Sequence, residues 1–167
     1  MESIFFIVVA AVAVISSLLV ITCKNPINSA LSLVMTFFCL ATFYVMLDAP
    51  FMAVTQVIVY AGAIMVLIIF VIMLLNIRTE TAKRSSHAVF AGSALGIFVL
   101  FQTCLFLMRG GMTGAPGGLD HAAIVKAGHV ELIGKALFTD FLLPFEITSI
   151  LLLAAIVGAV ILAKKKI

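Results

Sequence analysis

Long apolar runs separated by short polar joints set the pattern of this chain. Predominantly apolar stretches occupy residues 4–21, 30–47, 51–75, 88–108 and 141–163, each near or above the roughly 18 residues that cross a bilayer as a helix. The pattern therefore predicts five transmembrane helices. Polar residues punctuate them where helix ends belong. Asn25 is placed to cap a helix whose first position is Pro26, where the missing N–H costs nothing, and Pro50 and Pro144 likewise fall near helix starts. No proline interrupts the centre of a run. Ser85 and Ser86 are candidate caps for the fourth helix, in which Gly92 and Gly96 form a G-x-x-x-G pair that would let another helix approach closely.

One long connection, residues 109–140, breaks this rhythm. It begins RGGMTGAPGG, a coil-forming composition, and tightens into VELIGKALFTDF. There Val130, Ile133, Leu137 and Phe141 recur at helical spacing while Glu131, Lys135 and Asp140 take other faces, the pattern of a short interfacial helix leading into the last span. His121, His129 and Glu131 are metal-ligand types in the same connection, but glycine-rich flanks give them no constraining scaffold, so no metal site is expected.

Composition fixes the class. Hydrophobic residues make up 65% of the chain and charged residues 10%, tryptophan is absent, and the mean hydropathy is +1.35, values that suit no soluble core of this length. The expectation is an all-α integral membrane protein, a single membrane domain over residues 1–167. The first run has no basic leader and no small-residue cleavage site, so it is expected to stay in the mature chain rather than act as a cleaved signal.

Charge then orients the spans. Lys24, Arg78, Lys83, Arg84 and Lys164 to Lys166 account for seven of the ten basic residues and fall on one side if the helices alternate. The positive-inside rule makes that side cytoplasmic, with the C-terminus inside, the N-terminus outside and the Asp48-Ala49-Pro50 turn outside. The net charge of +3 thus orients the chain in a bilayer and implies no nucleic acid. Cys23, Cys39 and Cys104 are far apart within or beside apolar helices, without C-x-x-C or Cys/His spacing, and are expected as small buried hydrophobes.

Candidate chemistry is sparse. No phosphate loop, nucleophile elbow or HExxH motif occurs, so no active site is expected on this chain alone. Glu146 is the single carboxylate inside a span, near the start of the last helix, with Thr148 and Ser149 beside it. Such a residue anchors a neighbouring subunit, caps a loop or carries a proton. The third run is the more unusual. It reads VIVYAGAIMVLIIFVIMLLN over residues 57–76, with Tyr60 and Gly62 where lipid would favour leucine. Gln56 and Tyr60, four apart, share a face if the helix is regular. Tyr60 is then either a packed aromatic whose hydroxyl bonds a neighbour or part of a π-bulge allowed by the small residues at 61 to 63, a register defect that often marks working sites.

VTQVIVYAGAIMVLIIFVIMLLN, with KNPINSALSL before it and IGKALFTDFLLPFEITSILLLAAIVGAVILAKK after it, closely resembles subunit J of bacterial NADH-quinone oxidoreductase (respiratory complex I) and its mitochondrial counterpart, chain 6. The Val-Tyr-Ala-Gly-Ala core followed by Asn76 is the most specific part, and the FLLPFE entry to the last helix is nearly as telling. The resemblance runs from Asn25-Pro26 to the C-terminus.

It implies a non-catalytic membrane-arm subunit of a proton-pumping NADH:quinone oxidoreductase in the bacterial cytoplasmic (inner) membrane. FMN, iron-sulfur clusters and quinone would be bound by other subunits and no cofactor by this one. The implied neighbours are the membrane-arm subunits A, K, H and N, of which A and K are small, H carries the quinone site and N is antiporter-like. The resemblance also implies a π-bulge in helix 3 near residues 60–66, whose rotation between π and α forms gates a water path between the quinone site and the pumping subunits. Tyr60, Gly62, Ala63 and Val66 would form the moving segment, beside Gln56. Gln56 stands where some relatives carry glutamate, which argues against direct proton carriage there. Two alternatives stay open: a structural spacer, in which Tyr60 and the glycines only pack helices, and the equivalent subunit of a related hydrogenase, ferredoxin-linked dehydrogenase or cation-antiporter complex.

Overall fold

The computed structural model describes residues 1–75, 86–109 and 128–164, and the side chains of all of these except 86–91. Asn76, the basic residues Arg78, Lys83, Arg84, Lys165 and Lys166, the candidate cap Ser85, the Gly-rich stretch 110–118 and His121 lie outside the described residues.

Every regular element among the described residues is helical. The order is α1 (Glu2–Thr22), α2 (Pro26–Met46), α3 (Pro50–Leu75), α4 (Ser86–Met108), α5 (His129–Phe138) and α6 (Leu142–Ala163). Four of these, α1, α2, α3 and α6, are long and apolar enough to cross a membrane, and Gly92–Met108 within α4 forms a shorter apolar helix.

The joints explain the boundaries. α2 begins four residues ahead of its apolar run because the Asn25 side chain accepts a hydrogen bond from the Ile27 N–H at 2.9 Å, with Pro26 at the first position. Asn25→Ala removes that cap, worth about 1 kcal/mol. The expected result is amide exchange at Ile27 faster by about fivefold, read by hydrogen-exchange mass spectrometry of the purified complex. At the other end of α2, Asp48 takes φ 55°, the left-handed conformation that short polar side chains tolerate, and the Ala49 N–H donates to the Tyr44 carbonyl. Pro50 then opens α3.

α2 is the central element. α1 packs along it on one side and α3 along another, while α1 and α3 do not pack on each other. Small side chains let the backbones approach: Ser16 of α1, Ala30, Cys39 and Ala41 of α2, and Ala53 and Ala61 of α3 are all buried. Hydroxyls in these helices bond back into their own turns, as Ser16 does to the Val12 carbonyl and Thr42 to that of Phe38, so they present few open donors to hydrocarbon. Ser29 instead reaches across to the Val20 carbonyl and ties α2 to α1.

α5 is the amphipathic helix expected from VELIGKALF, with Glu131 in its first turn and Lys135 in its last, matching the helix dipole. It rests on the start of α3 and on α6, where Phe138 and Phe145 meet edge to face at 5.0 Å. α4 packs on no other described helix, and among the described helices α6 touches only α5. The space beside Gly92 and Gly96 is open. That isolation corrects the expectation for the cysteines. Cys39 is buried between helices, but Cys104 is exposed because α4 has no neighbour among the described residues, and Cys23 at the end of α1 is half-buried.

Candidate functional site

Helix α3 is not regular. Residues Pro50–Thr55 are α-helical, Gln56–Ile64 form a π-helix, and Met65–Leu75 return to α geometry. The Met65 N–H donates to the Tyr60 carbonyl five residues back, and also to Gly62. A π turn of this kind adds one residue to the helix without lengthening its packed face.

Burial along α3 reports the inserted residue. The residues turned inward are Ala53, Gln56, Ala61 and Met65, separated by steps of three, five and four. A regular helix continued from Gln56 would instead bury residues 60 and 64. In this structure Tyr60 is 46% exposed and Ile64 41%, while Ala61 is 8% and Met65 1%. The expected shared face of Gln56 and Tyr60 is therefore corrected: it assumed 3.6 residues per turn, and the wider π turn carries Tyr60 off that face.

Gly62 sits at the tightest point. A Cβ placed there would lie 3.2 Å from the Val57 carbonyl oxygen, tighter than ordinary van der Waals contact, so that this backbone group would have to give by a few tenths of an ångström. Alanines on both sides keep the turn slim.

The candidate residues separate in a definite way. Gln56 is buried at 8% exposure against α2, and Gly62 is half-buried. Tyr60, Ala63 and Val66 face outward, Tyr60 stacking obliquely on Phe37 of α2 with ring centres 5.9 Å apart. Hydrogen bonds among the described side chains include neither the Gln56 amide nor the Tyr60 hydroxyl. Glu146 lies one turn into α6, exposed, and the nearby Ser149 hydroxyl bonds the Glu146 backbone carbonyl at 2.7 Å rather than its carboxylate. α3 and Glu146 are not brought together, since α6 and α3 do not pack on one another. Met65 and Phe37 belong to the site and escape sequence reasoning, and Ala61 enters that reasoning only as one of the small residues at 61 to 63. Ala61 and Met65 are four apart, but that spacing is meaningful only once the π turn is known.

Chemically, this arrangement holds no reacting group. It is a helix with a register defect, a polar amide on its packed side and a phenol on its exposed side. Converting π to α would turn the lower half by roughly 100°, one residue of register. Tyr60 and Ile64 would then replace Ala61 and Met65 against α2.

Residues 16–162 match the family model described as NADH-ubiquinone/plastoquinone oxidoreductase chain 6. The chain is 39% identical over 143 residues to the chloroplast NAD(P)H-quinone oxidoreductase subunit 6 of Staurastrum punctulatum, covering 84% of this chain and 78% of that one. It is 35% identical over 168 residues to NAD(P)H-quinone oxidoreductase chain 6 of Synechocystis, covering 98% and 81%. With NADH-ubiquinone oxidoreductase chain 6 of Prototheca wickerhamii the identity is 31% over 178 residues, covering 96% and 86%.

Proposed function

This chain belongs to the chain 6 family of NADH-quinone oxidoreductases, multi-pass membrane subunits of complex I, and from that premise we propose that its third helix gates proton connectivity in the membrane arm. The observation that carries the proposal is the π segment Gln56–Ile64 with its offset burial at residues 53, 56, 61 and 65. A helix holding one surplus residue has two registers, and the two differ in what they place on the inner face: an alanine and a methionine, or a tyrosine hydroxyl. The apolar register breaks a water path and the hydroxyl register supports one. Protons pass through such a gate without being bound by it.

Around this helix the chain forms one membrane domain with five spans, α4 being the fourth. The N-terminus lies outside and the C-terminus in the cytoplasm of a bacterial inner membrane. The contact of α5 with the start of α3 supports this topology, because it brings the connection before α6 to the same side as the Asp48-Pro50 turn. The chain holds no redox group and does no catalysis itself; FMN, iron-sulfur clusters and quinone belong to its partners. The proposed neighbours are the small proteins A and K of the membrane arm, the quinone-site protein H and the antiporter-like protein N. Glu146, exposed on a span that touches only α5 among the described helices, is an anchor for one of them rather than a proton carrier.

The isolation of α4 and α6 favours a second reading, a lateral spacer whose sole task is to join subunits. Tyr60→Phe separates the two, because it keeps the ring on Phe37 and removes only the hydroxyl. Gating predicts a fully assembled complex that pumps about twofold fewer protons per electron, the weight of one hydrogen bond of roughly 0.5 kcal/mol. Proton uptake and quinone reduction measured on the same membrane vesicles give that ratio. An unchanged ratio in intact complex would count against the gate.

A further inference from the structure

Among the described residues, ring contacts join α1 to α2 through Phe6 and Phe43, α5 to α6 through Phe138 and Phe145, and α2 to α3 through Phe37 and Tyr60. The last falls within the π segment. Its rings stand 5.9 Å apart at 57°, inside the range of a favourable aromatic pair. The Tyr60 hydroxyl makes no hydrogen bond among the described residues. Packing therefore sets its position on the flank of α2, with the Phe37 ring as its aromatic partner.

The balance between the two registers turns on this pair. π geometry is rare in helices, so the packing must favour it here. A return to α geometry exchanges Met65 for Ile64 and Ala61 for Tyr60 against α2. The first exchange replaces one apolar side chain with another of similar size, which packed interiors tolerate at small cost. The second is unequal, because it puts a phenol ring where Ala61 is now 8% exposed. Backbones approach there through Ala30 and Ala41 of α2 and Ala53 and Ala61 of α3, all buried. Phe37 lies seven residues from Ala30 and four from Ala41 and shares their face, so its half-buried ring stands in the same seam. It attracts Tyr60 outside the seam and takes up room that the tyrosine ring would need inside it. We infer that Phe37 is the positioning residue that sets the resting register of α3, holding Tyr60 outward and the helix in its π form. This deepens the gating reading by naming what the gate rests on, and it requires only that α3 have two registers.

Register and pumping are read separately on the purified complex. Particle classification in cryo-electron microscopy shows whether the Met65 N–H bonds the Tyr60 carbonyl, as in the π form, or that of Ala61, as in the α form. The ratio of α to π particles is expected to rise about fivefold in Phe37→Leu, the weight of one aromatic pair, and further in Phe37→Ala, which also opens room for Tyr60. Phe37→Tyr keeps the ring and is expected to retain the wild-type ratio. Phe6→Leu removes a ring contact of the same kind from the α1 side of α2 and is expected to leave the ratio unchanged, which a general loosening of α2 would not. An unchanged ratio in Phe37→Leu overturns the proposal, as does an equal shift in Phe6→Leu or a wild-type complex in the α register. If Phe37→Ala does not assemble, Phe37→Leu decides alone. Proton uptake per electron in vesicles of the same variants bears on the gate instead: a shifted register with unchanged pumping removes the gate and leaves the role of Phe37 standing.

Discussion

Complex carrying Gly62→Leu is expected to assemble but to lose coupled proton pumping by about tenfold or more. A side chain at this position crowds the π turn, since the first added carbon stands 3.2 Å from the Val57 carbonyl oxygen, tighter than ordinary van der Waals contact. Overpacking against fixed backbone costs roughly 1–2 kcal/mol or more, and leucine also gains roughly 1 kcal/mol over glycine in regular helix. Both effects push the same way. Their sum, roughly 2–3 kcal/mol, shifts the balance of registers toward α by one to two orders of magnitude, because about 1.4 kcal/mol is a factor of ten. A gate that must visit both registers is then held in one. Gly62→Ala should fall between wild type and leucine, having the close contact and the propensity gain but none of the further bulk. Proton uptake per electron in sealed vesicles, with the complex quantified on native gels, checks both variants. Wild-type pumping and quinone reduction in Gly62→Leu would remove the gate from consideration, and loss of intact complex in parallel with activity would favour the spacer.

How far the sequence foretells this depends on where polar residues fall. Asn25-Pro26 and Pro50 mark the starts of α2 and α3 because capping is local chemistry, readable from a few adjacent residues. VELIGKALF announces an amphipathic helix because its charges and aliphatics alternate at helical spacing, and α5 follows that pattern. Within the spans such contrast disappears. The stretch Met65–Leu75 reads MVLIIFVIMLL, apolar on every face, so nothing in it distinguishes a surface packed on protein from one packed on lipid. The exposure of Cys104 is illegible for that reason, and so is the face of Tyr60.

The π turn itself is half legible. Gly62 between two alanines marks a place where the backbone is able to depart from α geometry, and a tyrosine beside it hints that the departure is useful. What the sequence lacks is phase. The assumption of a regular helix joins Gln56 to Tyr60, whereas the structure joins Gln56 to Ala61 and Met65. Only three-dimensional packing against α2 fixes that one-residue difference, because it is the partner helix that decides which residue is inside.

That difference makes Met65 and Ile64 a matched pair of reporters, and Met65→Ala is expected to destabilise the chain within its complex by roughly 1–3 kcal/mol while Ile64→Ala costs about 0.5 kcal/mol or less. Met65 is the most deeply buried large side chain among the described residues, at 1% exposure, and Ile64 beside it is 41% exposed. In a bilayer the usual transfer contribution is small, since lipid is as apolar as the protein interior. What remains is the cavity and its lost dispersion contacts, which is why the expected cost lies below the roughly 2–5 kcal/mol of a soluble core. Both substitutions leave helix propensity slightly improved, so the contrast between them reports packing alone. The measurement is the temperature at which this chain dissociates from purified complex, followed on native gels. If α3 rests in the π register, Met65→Ala lowers that temperature and Ile64→Ala barely moves it. If the complex instead holds the α register, Ile64 takes the inner position and the order of the two variants reverses. Adding Gly62→Ala sharpens the experiment: by favouring the α register it should shrink the cost of Met65→Ala and enlarge that of Ile64→Ala, a coupling between residues that do not need to touch. Independent, additive effects would mean that the helix has one register only, and a single-register helix has no means of acting as a gate.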